Sequence, residues 1–200
     1  MELANIPPCR ERSNGTTKDY SPGKAGNRIL VVLQSPGKAE VDLQRPATGH
    51  TGANICRLFS FMKNGCKQGN RFYEQEFCIR NVTIVNSTCA DFAEIDLTGK
   101  QIIFCFGERA RNWYRRKKGT LSKKHLALSF CHIGSRGLCR IRTSAGAKVD
   151  EGVVIRKFAN WVDKKYDKFC KGARDGVTVC SLNEFLRYAN FKWGFKTAEG

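Results

Sequence analysis

His132, Asn86 and Gln34 each stand at the end of an apolar run, and each has a side chain suited to chemistry on a polar ligand. An imidazole exchanges a proton near neutral pH. A carboxamide offers one acceptor and two donors. Gln34 continues into Ser35-Pro36-Gly37, Asn86 into Ser87-Thr88, and His132 into Ile133-Gly134-Ser135-Arg136. A fourth apolar run ends at Phe106 and opens into Gly107-Glu108-Arg109. Gly37, Gly49 and Gly52 would let the backbone approach a bound molecule closely. Each position also has an ordinary explanation: a strand-end His bonded to a carbonyl, a turn Asn, or a solvated loop.

The elements that must carry these residues read as alternating strands and helices. Arg28–Gln34 (RILVVLQ) is a continuous apolar run before Ser-Pro-Gly, as in a buried parallel strand. Lys38–Gly52 reads as a polar loop rich in Gly and Pro. Thr51–Lys63 places Ile55, Leu58, Phe59 and Met62 at helical spacing, with Thr51 as a cap. Phe77–Asn86 is rich in β-branched residues and reads as a strand. Asp91–Asp96 reads as a helical turn or loop. Gln101–Phe106 and His125–Cys131 are further strands, with a basic helix between them from Gly107 to about Lys118. Gly152–Phe169 and Ser181–Ala189 are predicted helices, the second capped by Ser181 with Glu184 three residues on. Residues 1–27 read as an irregular arm and residues 28–200 as one domain. This alternation implies a parallel sheet between helix layers, with ligands at the carboxyl ends of the strands. All four strand ends would then converge on one edge.

Charge narrows the partner. Thirty-five Lys and Arg against 18 Asp and Glu give a formal net charge of +17. Between Gly107 and Arg142 there are eleven basic residues and one acid, Glu108. Such a field favours a polyanion, nucleic acid above all. Solubility alone needs far less, and an anionic membrane surface is the other alternative. The ten cysteines include no Cys-x-x-Cys, which argues against a zinc ribbon or clustered iron–sulfur ligands. Cys78, Cys105 and Cys131 sit in apolar runs, as buried small hydrophobes do. Met1–Arg12 lacks an apolar stretch and no run is long enough to cross a bilayer, so the cytoplasm, or a nucleus, is the expected compartment.

Three segments together resemble the uracil-DNA glycosylase superfamily. VVLQSPGKAEVDLQRPATGHTGANICRLF, residues 31–59, is similar to the family's first motif: a strand, a Pro-containing turn, an Arg-Pro loop, and Gly-x-x-Gly leading into a helix. VTIVN, residues 82–86, is similar to the strand whose terminal Asn reads uracil. FCHIGSRGLCRI, residues 130–141, is similar to the late motif, in which a strand ends in His before a loop that presses on DNA. The resemblance covers about Arg28–Arg142, with the segments in the expected order.

The resemblance implies a three-layer α/β/α fold around a four-stranded parallel sheet. It also implies hydrolysis of the N-glycosidic bond of uracil, or a related deaminated base, after that nucleotide leaves the stack. His132 would stabilise the charge on the departing base. Gln34 and Ser35 would place the attacking water, although relatives often carry a carboxylate or Asn there. Glu40 or Asp42 could substitute, or could be solvated loop charges. Asn86 would read the pyrimidine edge, with Pro36 and Gly37 beside the base. Ala47 falls where some relatives have a stacking aromatic, so Phe106 or Phe59 would have to supply that wall, though either could be core. Gly134 replaces a small hydroxyl residue, a part Ser135 could take.

Arg136 and Leu138 would enter the hole left by the flipped base, or Arg136 would hold a phosphate. Arg109, Arg115, Arg116, Lys117 and Lys118 would track phosphates, although a solvated helix face would read the same way. No metal or cofactor is implied, because the paired N-terminal cysteines of iron–sulfur relatives are absent and Cys9 and Cys89 do not replace them. The expected partner is uracil- or damaged-base-containing DNA, single or double stranded, with no membrane and a monomeric chain. Two alternatives stay open: a non-catalytic base-binding protein on the same fold, and a basic structural or RNA-associated protein.

Overall fold

The computed structural model describes residues 17–62, 82–88, 95, 97–172 and 176–194. Residues 77–81 of the predicted second strand, most of the Asp91–Asp96 turn, Cys9, Cys78 and Cys89 lie outside the described residues.

The elements run β1 (Tyr20–Ser21), β2 (Ile29–Leu33), α1 (Lys38–Leu43), α2 (Gly49–Phe61), β3 (Thr83–Asn86) and β4 (Ile102–Phe106). They continue with α3 (Glu108–Lys117), a 3-10 turn (Lys118–Thr120), β5 (Lys124–Phe130), α4 (Ser135–Leu138) and β6 (Ile141–Thr143). The chain closes with α5 (Glu151–Lys171), β7 (Gly176–Cys180), α6 (Leu182–Ala189) and β8 (Phe191–Trp193).

The main sheet has six strands in the order β1-β3-β2-β4-β5-β7. β3, β2, β4, β5 and β7 are mutually parallel, and β1 pairs antiparallel with β3. β6 and β8 form a separate two-stranded antiparallel sheet. The expected four-stranded parallel sheet is therefore extended at both edges. On one side Gly176–Cys180 adds a fifth parallel strand, in register from Lys124↔Gly176 to Leu128↔Cys180. On the other, Tyr20–Ser21, inside the stretch read as an irregular arm, adds β1.

Two apolar cores follow from the side-chain period of two along each strand. Val31, Leu33, Phe104, Phe106, Leu128 and Phe130 face α2, α5 and α6. Leu30, Val32, Ile103, Cys105 and Ala127 face α3, which contributes Ala110, Trp113 and Tyr114. Strands buried on both faces must be apolar at every position, which is why RILVVLQ and QIIFCF are unbroken. The larger core is strongly aromatic. Phe130 stacks on Phe158 with centroids 3.9 Å apart, and Phe185 meets both edge-on at 5.1 and 5.3 Å.

Helix ends are set by local bonds. Ser181 caps α6 by accepting from the Glu184 N–H at 3.3 Å, as its spacing predicts. Asp150 caps α5 by accepting from Val153 N–H at 3.1 Å. α2 starts at Gly49 behind Thr48, so Thr51 lies in the first turn and not at the cap. Lys38–Leu43, read as loop, forms the short helix α1. Among the described residues no helix is long and apolar enough to cross a membrane.

Candidate functional site

β3 and β4 lie on opposite sides of β2, so the connections leaving the carboxyl ends of β2 and β4 diverge. This is the switch point at which open α/β sheets form a crevice. A cavity of about 890 Å³ opens there. It is lined by Gln34–Gly37 after β2, Gly107 and Glu108 after β4, and His132 and Gly134–Gly137 after β5. His50 and Thr51 of α2 complete one wall; Arg140, Leu182, Asn183 and Trp193 contribute from the C-terminal elements.

Gln34 and Gly107 are coupled by close approach. Gly107 has φ of +98°, and a Cβ there would lie 1.9 Å from Gln34 Nε2. Only glycine leaves room for the Gln34 carboxamide to lie across the end of β4. The carbonyl of Gln34 accepts the Ser87 hydroxyl, and Leu33 O accepts the Ser87 N–H at 2.9 Å. The turn after β3 thus anchors the turn after β2.

His132 is held with equal care. Its Nδ1 accepts the Gly134 N–H at 3.1 Å. A nitrogen that accepts carries no proton, so the neutral ring has its proton on Nε2. Burial and, second, the Arg136 charge hold its pKa below the ordinary 6.5. At neutral pH the cavity therefore receives a neutral imidazole with an Nε2–H donor. A Cβ at Gly134 would stand 2.9 Å from Nδ1 and Cε1 and 3.1 Å from Thr51 Oγ1. The ring packs against residue 134, which explains glycine where a hydroxyl residue was expected. Asn54, wholly buried on α2, donates to Ile133 O at 2.8 Å and pins the same turn. No apolar stripe in the sequence marks it, since its helical neighbours His50, Thr51 and Arg57 are polar.

Glu40 is buried at the cavity wall. Its two carboxylate oxygens accept the backbone N–H groups of Gly37 and Ala47 separately. Burial pushes its carboxyl pKa up against the opposing pull of these bonds. Glu40 thus closes the loop around α1, whereas Asp42 is exposed.

Several expected site residues lie elsewhere. Asn86 ends β3 at the same sheet edge as His132 but does not line the cavity. It is fully buried, its Nδ2 donates to Lys18 O at 2.9 Å, and its Oδ1 has no hydrogen-bond partner. Phe106 is not a base-stacking wall: it is in the core, stacked on Phe104 at 6.0 Å, with Phe59 close by on Phe104. Leu138 is not an inserting side chain either, because α4 turns it into the core at 0% exposure. Ser135 and Arg136 are exposed at the cavity. Arg109 is exposed in the first turn of α3. Arg115, Arg116, Lys117 and Lys118 lie farther along that helix, roughly 10–15 Å from its start at 1.5 Å per residue. Arg115, Arg116 and Lys118 are exposed and Lys117 is half-buried, and none of them lines the cavity. Arg111 and Arg140 supply the nearer charge, along with Arg136.

No family model, no curated protein and no solved structure matches this chain.

Proposed function

We propose that the chain is a base-excising N-glycosidase of the uracil-DNA glycosylase type, acting on uracil or a related deaminated base in DNA. The observation that carries this reading is His132, which lines a switch-point cavity with Gln34, Pro36 and Gly37 and, with Nδ1 accepting the Gly134 N–H, keeps its ring proton on Nε2. A base leaves deoxyribose with the electron pair of the C1′–N bond, and negative charge gathers on its carbonyl oxygen. A fixed N–H donor at that oxygen stabilises the transition state more than the ground state. The resulting oxocarbenium ion is captured by a water that the Gln34 carboxamide orients, and the proton shed by that water ends on the departed base. Gln34 cannot act as a strong base, but a dissociative path needs little help in deprotonating water. Asn86 takes part in reading the base only if Lys18 releases its amide.

The test is a panel of oligonucleotides, each with one uracil, hypoxanthine or xanthine, scored for strand scission after alkali. Scission is expected at one or more of these bases, and His132→Ala is expected to lower the rate by about 10²-fold or more. Intact strands across the whole panel would remove the catalytic reading.

One observation favours a second reading, a non-catalytic binder of the extruded base. Gln34 and Ser35 provide no carboxylate, and both oxygens of Glu40 are taken up by backbone N–H groups. That reading predicts salt-sensitive binding to uracil-containing DNA without product.

A further inference from the structure

Of the three tryptophans, Trp113 and Trp161 are buried against the two faces of the sheet, and Trp193 is partly exposed. Trp193 lines the cavity from β8. It is firmly placed. It pairs with Ile141 across the small sheet, and the next residue, Gly194, donates its N–H to Arg140 O at 2.7 Å. A Cβ at 194 would come within 3.0 Å of that same carbonyl, so glycine permits the approach. The Arg140 guanidinium stands over the indole, 5.9 Å from its centroid.

The cavity, about 890 Å³, is near the upper end for small-molecule sites and much larger than one uracil ring. Its lining holds two groups: His132 beside Thr51 and Gly134, and Arg140 against Trp193, joined along the chain through α4. The aromatic expected near the first motif is missing at Ala47, and Phe106 is in the core. Trp193 is therefore the partly exposed aromatic ring of the cavity, next to a cation suited to a phosphate.

Resting on the glycosylase-type reading, we infer that Trp193 and Arg140 form a second subsite, which stacks an unpaired nucleobase adjoining the one held at His132. Trp193 takes the face of that base, and Arg140 takes the phosphate between the two nucleotides. The substrate class is then a single-stranded or locally opened strand, held at two consecutive bases. Stacking on one aromatic is worth roughly 5- to 150-fold in affinity.

The buried state of the other two tryptophans makes Trp193 its own reporter. The probe is a single-stranded oligonucleotide carrying one 2′-fluoro-2′-deoxyuridine, whose fluorine disfavours the oxocarbenium ion and so blocks turnover. Binding is followed by anisotropy of a dye on the DNA and, separately, by tryptophan emission. Emission is expected to fall on binding, and the fall is expected to vanish in Trp193→Phe while affinity is largely kept. Trp193→Ala is expected to weaken binding about 5- to 150-fold. Replacing one base immediately beside the fluoro-uridine by an abasic spacer should also abolish the quench. Binding with unchanged emission would overturn the subsite alone. So would a quench that survives Trp193→Phe, or one lost only when the fluoro-uridine itself is made abasic. No binding by anisotropy would overturn the subsite, whereas the glycosylase-type reading falls only if the base panel also stays intact.

Discussion

His132 ties a local hydrogen bond to a pH dependence. Protonation would place an N–H on Nδ1, facing the Gly134 N–H that it now accepts. Burial, followed by the Arg136 charge, works against that protonated form. A histidine whose folded pKa is lowered stays neutral through neutral pH, and its contribution is lost as pH falls through the folded value. The proposed base-excision rate is therefore expected to decline only as pH falls below the range in which an ordinary histidine titrates. Arg136→Gln removes one of the two causes and should move this acid limb to higher pH, as measured by single-turnover rates across a pH series. Gly107 offers a second test at the same scale. Gly107→Ala must adopt a left-handed φ and displace the Gln34 carboxamide. With ψ at 175° this is a region essentially confined to glycine, so a loss of about 1–3 kcal/mol is expected from the backbone alone, readable by chemical denaturation. Activity should fall further than stability explains, because the group proposed to orient water has moved.

Among the elements, α1 is the case where a single side chain does what an apolar stripe usually does. A helix of six residues has little intrinsic stability in water, and Val41 and Leu43 are exposed. Glu40 instead gathers Gly37 and Ala47 around its carboxylate. Glu40→Gln turns one acceptor into a donor that faces a backbone N–H. A loss of about 1–3 kcal/mol is expected, with faster hydrogen exchange confined to residues 37–48. This also shows what the sequence could disclose. RILVVLQ, QIIFCF and HLALSFC were legible because both of their faces are buried. The residues at their ends, Gln34–Gly37 and His132–Arg136, followed from strand polarity. The helix α1 was not legible as an apolar pattern, although Glu40 standing three residues after Gly37 is a capping signal. β7 was missed because Gly176–Val179 are exposed and carry no core-facing alternation. Trp193 was missed because its place depends on pairing with Ile141, fifty-two residues earlier in the chain. Phe106 and Leu138 were misjudged because nearness to a strand end does not tell whether a side chain turns toward the core or the crevice.

For the molecule as a whole, the strands divide the basic charge between two regions. Arg111, Arg136 and Arg140 stand at the cavity, while Arg115, Arg116, Lys117 and Lys118 follow α3 away from it. On the proposed function, the first group would hold the phosphates of a bound nucleotide, and the second would add long-range attraction that salt screens. At one edge the sheet ends in β7, where Val177 and Val179 are 50% and 55% exposed. A rim of this kind invites strand-to-strand joining between molecules, which mutual repulsion at a net charge of +17 opposes. Neutralising that repulsion should convert a well-behaved solution into a turbid one. Light scattering is expected to rise with added salt or with equimolar short polyanion, and Val177→Lys is expected to suppress it. On the proposed function, the positive field that would attract a nucleic acid is also the chain's safeguard against clumping, and that safeguard would weaken whenever such a ligand is bound.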